Sequence, residues 1–382
     1  MYLRIVKPTY VFNPEHDLAL ANGDRHFIAP RNIREMARDL APLMEVMKSH
    51  YEAYDLNTPL PWGWDSEVVE RMRKMGISAA LLPADNALVA FSGCSERMAA
   101  YKLLCKFRAT HADDGYIGES CIVRSFEELV PYSRHYGHIL LKAPLSSSGK
   151  GLRHVNLNGD ENKGSLQEPS LALKKVESWA NALMRKHGYL TAEPYYAKVQ
   201  DFAMEFVADA SGCHFIGYSL FVTDGHGRYI GSHLKSDALI EDCLAGYVPR
   251  EMLHEVWRWT IVHYVDIIPE EWDVSRFPLY FGIDMMIVQD GSAYKLHPCV
   301  EINLRMNMGI IAHEVYRHRM VPGACGMFSI ARFADNEALL RFHEEQMRHY
   351  PIVTCEGKLK VGYMPLVPIG RDTLHLAYVV CR

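Results

Sequence analysis

The sequence predicts an α/β chain of more than one subdomain, a small parallel-sheet layer followed by mainly antiparallel sheet. Three observations carry that expectation. Over roughly the first hundred residues, runs of helical period alternate with short β-type runs, the pattern of a parallel layer with helical crossovers. From His138 onward most β-type runs follow one another across turns, as antiparallel strands do. At 382 residues the chain exceeds what one simple core serves, so two or three subdomains are expected.

Composition excludes several classes of function. A formal net charge of -5 supplies no general basic field, which argues against nucleic acid as the main partner. The nine cysteines are scattered, odd in number and free of any C-x-x-C pair. They read as reduced thiols of a cytoplasmic protein, neither a disulfide framework nor a zinc site. The opening stretch, MYLRIVKPTYVF, lacks the apolar core of a signal peptide, and no run is long enough to predict a membrane span.

In chain order, residues 9–12 read as a short strand that breaks at Asn13-Pro14. A polar loop after a strand is where α/β proteins place ligand groups, so Glu15, His16 and Asp17 are candidates for substrate contact. Capping of the next helix explains the same residues equally well. Residues 31–49 and Ser66–Lys74 have helical spacing, and residues 77–82 read as a buried strand closed by Pro83. No G-x-G-x-x-G follows the first strand, so a dinucleotide fingerprint is absent.

Residues 96–109 predict a helix with Lys102 and Lys106 one turn apart on one face, which by itself suits solvent as well as a ligand. Residues 138–143, HILLKA, form an apolar strand interrupted by Lys142, costly to bury without an anion. The loop that follows, Pro144-Leu145-Ser146-Ser147-Ser148-Gly149-Lys150-Gly151, has the small residues and hydroxyls that bring backbone N–H groups close to phosphate. It is not a P-loop, because Pro144 and Gly151 stand where that motif needs Gly and Ser or Thr.

Residues 152–157 form the next predicted strand, and 171–187 a helix stopped by Gly188. Residues 190–196 and 201–207 read as strands around a short link; Glu193 to Tyr196 could wall an adenine, with Asp201 on the ribose. Strands are expected over 213–223 and 229–233, a mobile loop near the substrate over 232–237, and a helix over 250–265. Asn336–His349 reads as a helix. Two last strands, 359–367 and 374–380, would complete a sheet edge or make a subunit contact, as in a homodimer.

The most informative stretch is residues 281–309. An apolar run over 279–288 carries one acid, Asp284; Gln289-Asp290-Gly291-Ser292 supplies turn chemistry; a second run ends in Glu301-Ile302-Asn303. Glu301 and Asn303 emerge on one face of a strand. Antiparallel pairing would bring Asp284 to them, giving a hard-cation cluster of the kind that holds Mg²⁺ together with substrate phosphates. Ordinary salt bridges at a sheet edge are the plainer reading of either acid alone.

Rival chemistry finds little support. His313-Glu314-x-x-Arg317-His318 misses H-E-x-x-H by one residue, and helical geometry would put the two histidines on different faces. His135-x-x-His138 is isolated.

Four features together resemble the ATP-grasp ligases: Lys102-x-x-x-Lys106, Lys142 with its Ser/Gly loop, the Glu193 linker with Asp201, and Asp284 with Glu301-x-Asn303. The resemblance spans about residues 102–309. It implies two α+β subdomains clasping ATP after a small α/β domain, with boundaries at 1–105, 106–196, 197–350 and a C-terminal hairpin at 351–382. It implies Lys106 and Lys142 on the phosphates, Ser146, Ser147, Ser148, Gly149 and Lys150 in a closing loop, and Glu193 to Tyr196 on adenine. It further implies Asp201 on ribose, Asp284, Glu301 and Asn303 on two Mg²⁺ ions, with Mn²⁺ as an alternative, and Arg305 facing the transferred phosphoryl group.

The dipeptide-ligase branch carries an Arg two positions before the first metal acid, where this chain has Gly282. The implied reaction activates a small-molecule or peptide carboxylate as an acyl phosphate and passes it to an amine. A phosphotransferase and a non-catalytic nucleotide-binding module are the alternatives on the same fold.

Overall fold

The structure, a computed structural model, describes residues 10–48, 59–112, 115–145, 151–157, 169–224 and 229–382. Its first strands, β1 (Tyr10–Val11) and β2 (Leu60–Pro61), pair in parallel and are two residues each. They are all that the described residues hold of the expected parallel sheet. Residues 77–82 are not a strand but contain a 3-10 turn, Ala79–Leu81. Ser78 accepts a hydrogen bond from the Ala80 amide, and local bonding of this kind competes with sheet pairing. Ala79 and Ala80 stay exposed, and among the described residues no strand covers the run.

Helix Ser66–Lys74 has the expected bounds and is capped by Asp65, whose carboxylate accepts from the Val68 amide at 2.8 Å. The helix expected over 31–49 is α-helical for Arg31–Leu40 and tightens to a 3-10 turn over Ala41–Met47. Pro42 lacks the amide that would continue the α-helical ladder.

Four strands, β3 (Cys121–Val123), β4 (His138–Lys142), β5 (Leu152–Asn156) and β6 (Leu190–Pro194), form one antiparallel sheet in the order β3-β6-β4-β5. Helices Phe126–Tyr136 and Glu177–His187 cover it, closing a core around Leu129, Ile139, Leu141 and Ala180. The single helix expected over 171–187 is two, Leu171–Lys174 and Glu177–His187.

The remaining strands are β7 (Lys198–Asp209), β8 (Gly212–Thr223), β9 (Tyr229–Leu234), β10 (Leu279–Asp290), β11 (Ala293–Asn303), β12 (Gly326–Arg332), β13 (Val353–Cys355), β14 (Lys358–Pro365) and β15 (His375–Cys381). They form a nine-stranded sheet in the order β11-β10-β7-β8-β9-β12-β15-β14-β13. The two C-terminal strands therefore continue this sheet.

Both faces of its centre are covered, which is why β7 and β10 read as unbroken apolar runs. Phe206 and Phe281 stack on one side at 5.1 Å between ring centroids, while Val207 and Tyr280 turn to the other. Helix Arg97–Thr110 lies against β11 on the first side, and helix Met308–Arg319 packs on the second.

Residues 232–237, expected as a mobile loop, are the end of β9 and the start of helix Asp237–Ala245, capped by Ser236. Helix Arg250–His263 follows. Among the described residues no helix is long and apolar enough to cross a membrane.

Candidate functional site

β10 and β11 pair antiparallel with Asp284 directly opposite Glu301 and Gly282 opposite Asn303. A bulge follows at residues 284–286, a device that re-aims side chains. The Asn303 amide donates to Asp284 Oδ1 at 3.1 Å. Burial, then the neighbouring carboxylates of Glu301 and Glu205, push the Asp284 carboxyl well above its usual range, against opposing help from Asn303 and Arg305. Among the described residues no set of three or more His, Cys, Asp or Glu is arranged to hold a metal. The cluster is two acids and an amide.

Glu205 is an acid that sequence reasoning missed. It sits on β7 opposite Gly282, is only 1% exposed, and accepts from Asn307 Nδ2 at 2.7 Å. Burial raises its carboxyl to about 7, although the Asn307 hydrogen bond and the charges of His313 and Arg305 oppose this. The signal was available, because Glu205 interrupts a buried strand run just as Asp284 does. Gly282 is required beside it: a Cβ there would lie 2.4 Å from Glu205 Oε2 and 2.3 Å from Asn307 Nδ2. An arginine at that position would have to displace both side chains.

The cations are arranged differently from the sequence expectation. Lys106 turns outward and pairs with Asp266 at 2.6 Å, because Leu103, Leu104 and Phe107 take the buried side of its helix. Lys102 is exposed on the same side. The cation that reaches the acids from this helix is its first residue, Arg97, buried, with Nη1 3.3 Å from Glu301 Oε2 and Nε donating to the Ala143 carbonyl at 3.0 Å. Spacing could not single it out, since helical periodicity says nothing about which end meets a neighbouring strand.

Lys142 is buried as expected, but its partner is Glu193, 2.5 Å away. Glu193 belongs to β6 instead of a linker. The Lys142 ammonium also approaches the Val300 carbonyl at 3.5 Å, within one residue of Glu301.

A third wall comes from the N-terminal segment. Arg305 forks onto Asp17 with two hydrogen bonds of 2.9 Å. Burial would raise the Asp17 carboxyl, but the Arg305 charge and hydrogen bonds outweigh it and hold it below the usual range. Of the three polar candidates in this segment, Glu15 is buried against Arg71 at 3.0 Å. His16 is bound to Asp65, and Asp17 reaches the cleft. That cleft is lined by His16, Asp17, Ser95, Arg97, Pro144, Leu145, Glu301, Asn303 and Arg305.

Tyr196 and Asp201 lie on the strands and link that follow β6. The Tyr196 hydroxyl accepts from the Glu119 amide at 2.9 Å, and its ring meets His297 edge-on at 5.5 Å. His297 is wholly buried, which pushes its imidazole down to about 3. Asp201 pairs with Lys198 and accepts from Thr223 Oγ1 at 3.2 Å. Ser146, Ser147, Ser148, Gly149 and Lys150 lie outside the described residues.

No family model and no curated protein sequence matches this chain. Among solved structures, biotin carboxylase from Campylobacter jejuni in a β-γ-ATP complex is similar over 91% of this chain and 76% of its own, at 13% identity and a TM-score of 0.50. N5-carboxyaminoimidazole synthetase from Staphylococcus aureus complexed with ADP matches over 98% of this chain and 87% of its own, at 11% identity and a TM-score of 0.49. The N5-carboxyaminoimidazole synthase of Aspergillus clavatus, complexed with ADP and 5-aminoimidazole ribonucleotide, matches over 89% and 90%, at 12% identity and a TM-score of 0.47. The fold shared with the biotin carboxylase is the ATP-grasp fold.

Proposed function

We propose that this ATP-grasp chain is an ATP- and Mg²⁺-dependent ligase that activates a carboxylate as an acyl phosphate and transfers the acyl group to an amine. The observation that carries this reading is the meeting of Asp284, Glu301 and Asn303 across one hairpin, with Glu301 in a cleft that Arg97 and Arg305 also line.

Mg²⁺ fits the cluster on the chain's own electrostatics. Burial first, and then the charges of Glu301 and Glu205, push Asp284 toward its neutral form, and a cation is what would let these acids ionise side by side. Asp284, Glu301 and Asn303 would hold it, and the ion would neutralise charge on the phosphates.

In this reading Arg97 and Lys142 place positive charge beside the acids, where two repelling anions must meet. Glu193 holds the Lys142 ammonium in position. Arg305, fixed by Asp17, faces the transferred phosphoryl group. Tyr196 and Asp201 keep their assignments to adenine and ribose, and Ser146 to Lys150 keep theirs to the phosphates.

The test is ADP release with MgATP across a panel of carboxylates and amines, with hydroxylamine to trap an acyl phosphate as hydroxamate. Asp284→Asn with Glu301→Gln should lower the rate at least about a hundredfold, whereas Lys106→Ala should change it less than about twofold. Unchanged ADP release in the double variant would sink the mechanism. A stable phosphorylated product in place of hydroxamate would favour a phosphotransferase.

A further inference from the structure

We infer that His16 is a catalytic residue, the base that takes the proton from the incoming amine, and that Asp65 is its positioning residue. This rests on the ligase reading above and adds the step which that reading leaves without a proton acceptor.

The geometry is that of a histidine held by one nitrogen. His16 Nδ1 lies 2.9 Å from Asp65 Oδ2, and both side chains are about 2% exposed. Asp65 is itself fixed by two further bonds: Oδ1 accepts from the Val68 amide at 2.8 Å and Oδ2 accepts from Asn13 Nδ2 at 3.1 Å, with Asn13 in turn anchored to the Gly63 carbonyl at 2.8 Å. A carboxylate so held keeps the proton of a neutral imidazole on Nδ1 and leaves a lone pair on Nε2.

Gly63 walls the base of the ring, since a Cβ there would come within 2.5 Å of Cγ and 2.7 Å of Nδ1. No hydrogen bond to Nε2 occurs among the described residues, yet His16 lines the cleft that holds Glu301, Asn303 and Arg305. A histidine needed only to join two segments would require neither an unbonded nitrogen nor a place in that cleft.

The step balances as follows. The lone pair of a neutral amine forms the C–N bond at the acyl phosphate carbonyl. The C–O bond to phosphate breaks, with its electron pair leaving on phosphate. The extra proton on nitrogen passes to Nε2 of His16, giving amide, phosphate and imidazolium. Asp65 stabilises that cation, and Asp17 faces it from the adjoining residue.

Two measurements test this. In wild-type protein carrying ¹⁵N-histidine, the neutral His16 ring, assigned by its loss in His16→Gln, should show Nδ1 protonated and Nε2 bare; a proton on Nε2 overturns the assignment. The second uses hydroxylamine, which is unprotonated at neutral pH and needs little base assistance. With bicarbonate, amino acids and dicarboxylic acids as acyl donors, and ammonia, amino acids and polyamines as acceptors, His16→Gln should slow amine transfer about a hundredfold more than hydroxamate formation.

Asp65→Asn keeps an oxygen for the Val68 amide while setting a donor against Nδ1, so it should give the same selective loss. Equal slowing of both reactions, or of neither, counts against His16 alone. No hydroxamate from wild-type protein with any donor sinks the ligase reading together with this step.

Discussion

The two sides of the cleft are built on opposite electrostatic rules. On the wall, Asp17 has Arg305 and His16 has Asp65, and outside this cleft His313 is paired in the same way, between Asp237 at 3.1 Å and Glu314 at 3.2 Å. On the floor, Asp284 is buried facing Glu301, whose cationic partner is Arg97, and both Glu301 and Glu205 raise the Asp284 carboxyl beyond what burial does. Paired groups stabilise the fold without help from a ligand. Like charges facing one another cost stability until something positive arrives, and such frustration concentrates where a protein binds.

Three predictions sharpen or break this contrast. The largest effect is expected from pH on the paired His313. Burial alone would push the His313 imidazole down, but the hydrogen bonds and charges of Asp237 and Glu314 outweigh it and raise it to about 9. A raised folded-state pKa gives stability that is full below the unfolded value near 6.5 and is lost as pH rises through about 9. The loss should reach about 3 kcal/mol in urea midpoints between pH 6 and 10. It should shrink in Asp237→Asn, and equal slopes for both proteins would break the contrast.

Next comes Asp17→Ala, which leaves Arg305 without its fork. The cost should be about 2 kcal/mol in chemical denaturation, below that of a fully buried pair because both side chains keep some solvent. The smallest effect has the opposite sign. Asp284→Asn keeps the acceptor for Asn303 and removes a repulsion, so the ligand-free protein should gain about 1 kcal/mol. The same variant should lose the rise in thermal midpoint that MgATP gives the wild type. A destabilised variant that still responds to MgATP would show that the floor is an ordinary ion-pair network.

Sequence reasoning succeeded where chemistry is written locally. The register of β10 with β11 follows from the turn at Gln289 to Ser292 and from acids at fixed offsets on either side. Lys142 was legible because an ammonium in an apolar strand needs a partner, although that partner proved to be Glu193. Failures came where orientation depends on distant contacts. Lys102 and Lys106 share a face, but only the packing of Leu103, Leu104 and Phe107 decides that this face meets solvent. Residues 77–82 are apolar enough for a strand, yet among the described residues no strand pairs with them.

By itself the sequence determined the hairpin, the acids it brings face to face and the bounds of elements such as helices Ser66–Lys74 and Asn336–His349, because these depend on neighbours a few positions apart. Only the tertiary structure decided that Arg97 in place of Lys106 reaches Glu301, that Glu205 crowds Gly282, and that His16 and Asp17 close the cleft from nearly three hundred residues away. Such meetings are fixed by the packing of whole sheets and helices, and no local spacing encodes which side chains that packing will bring together.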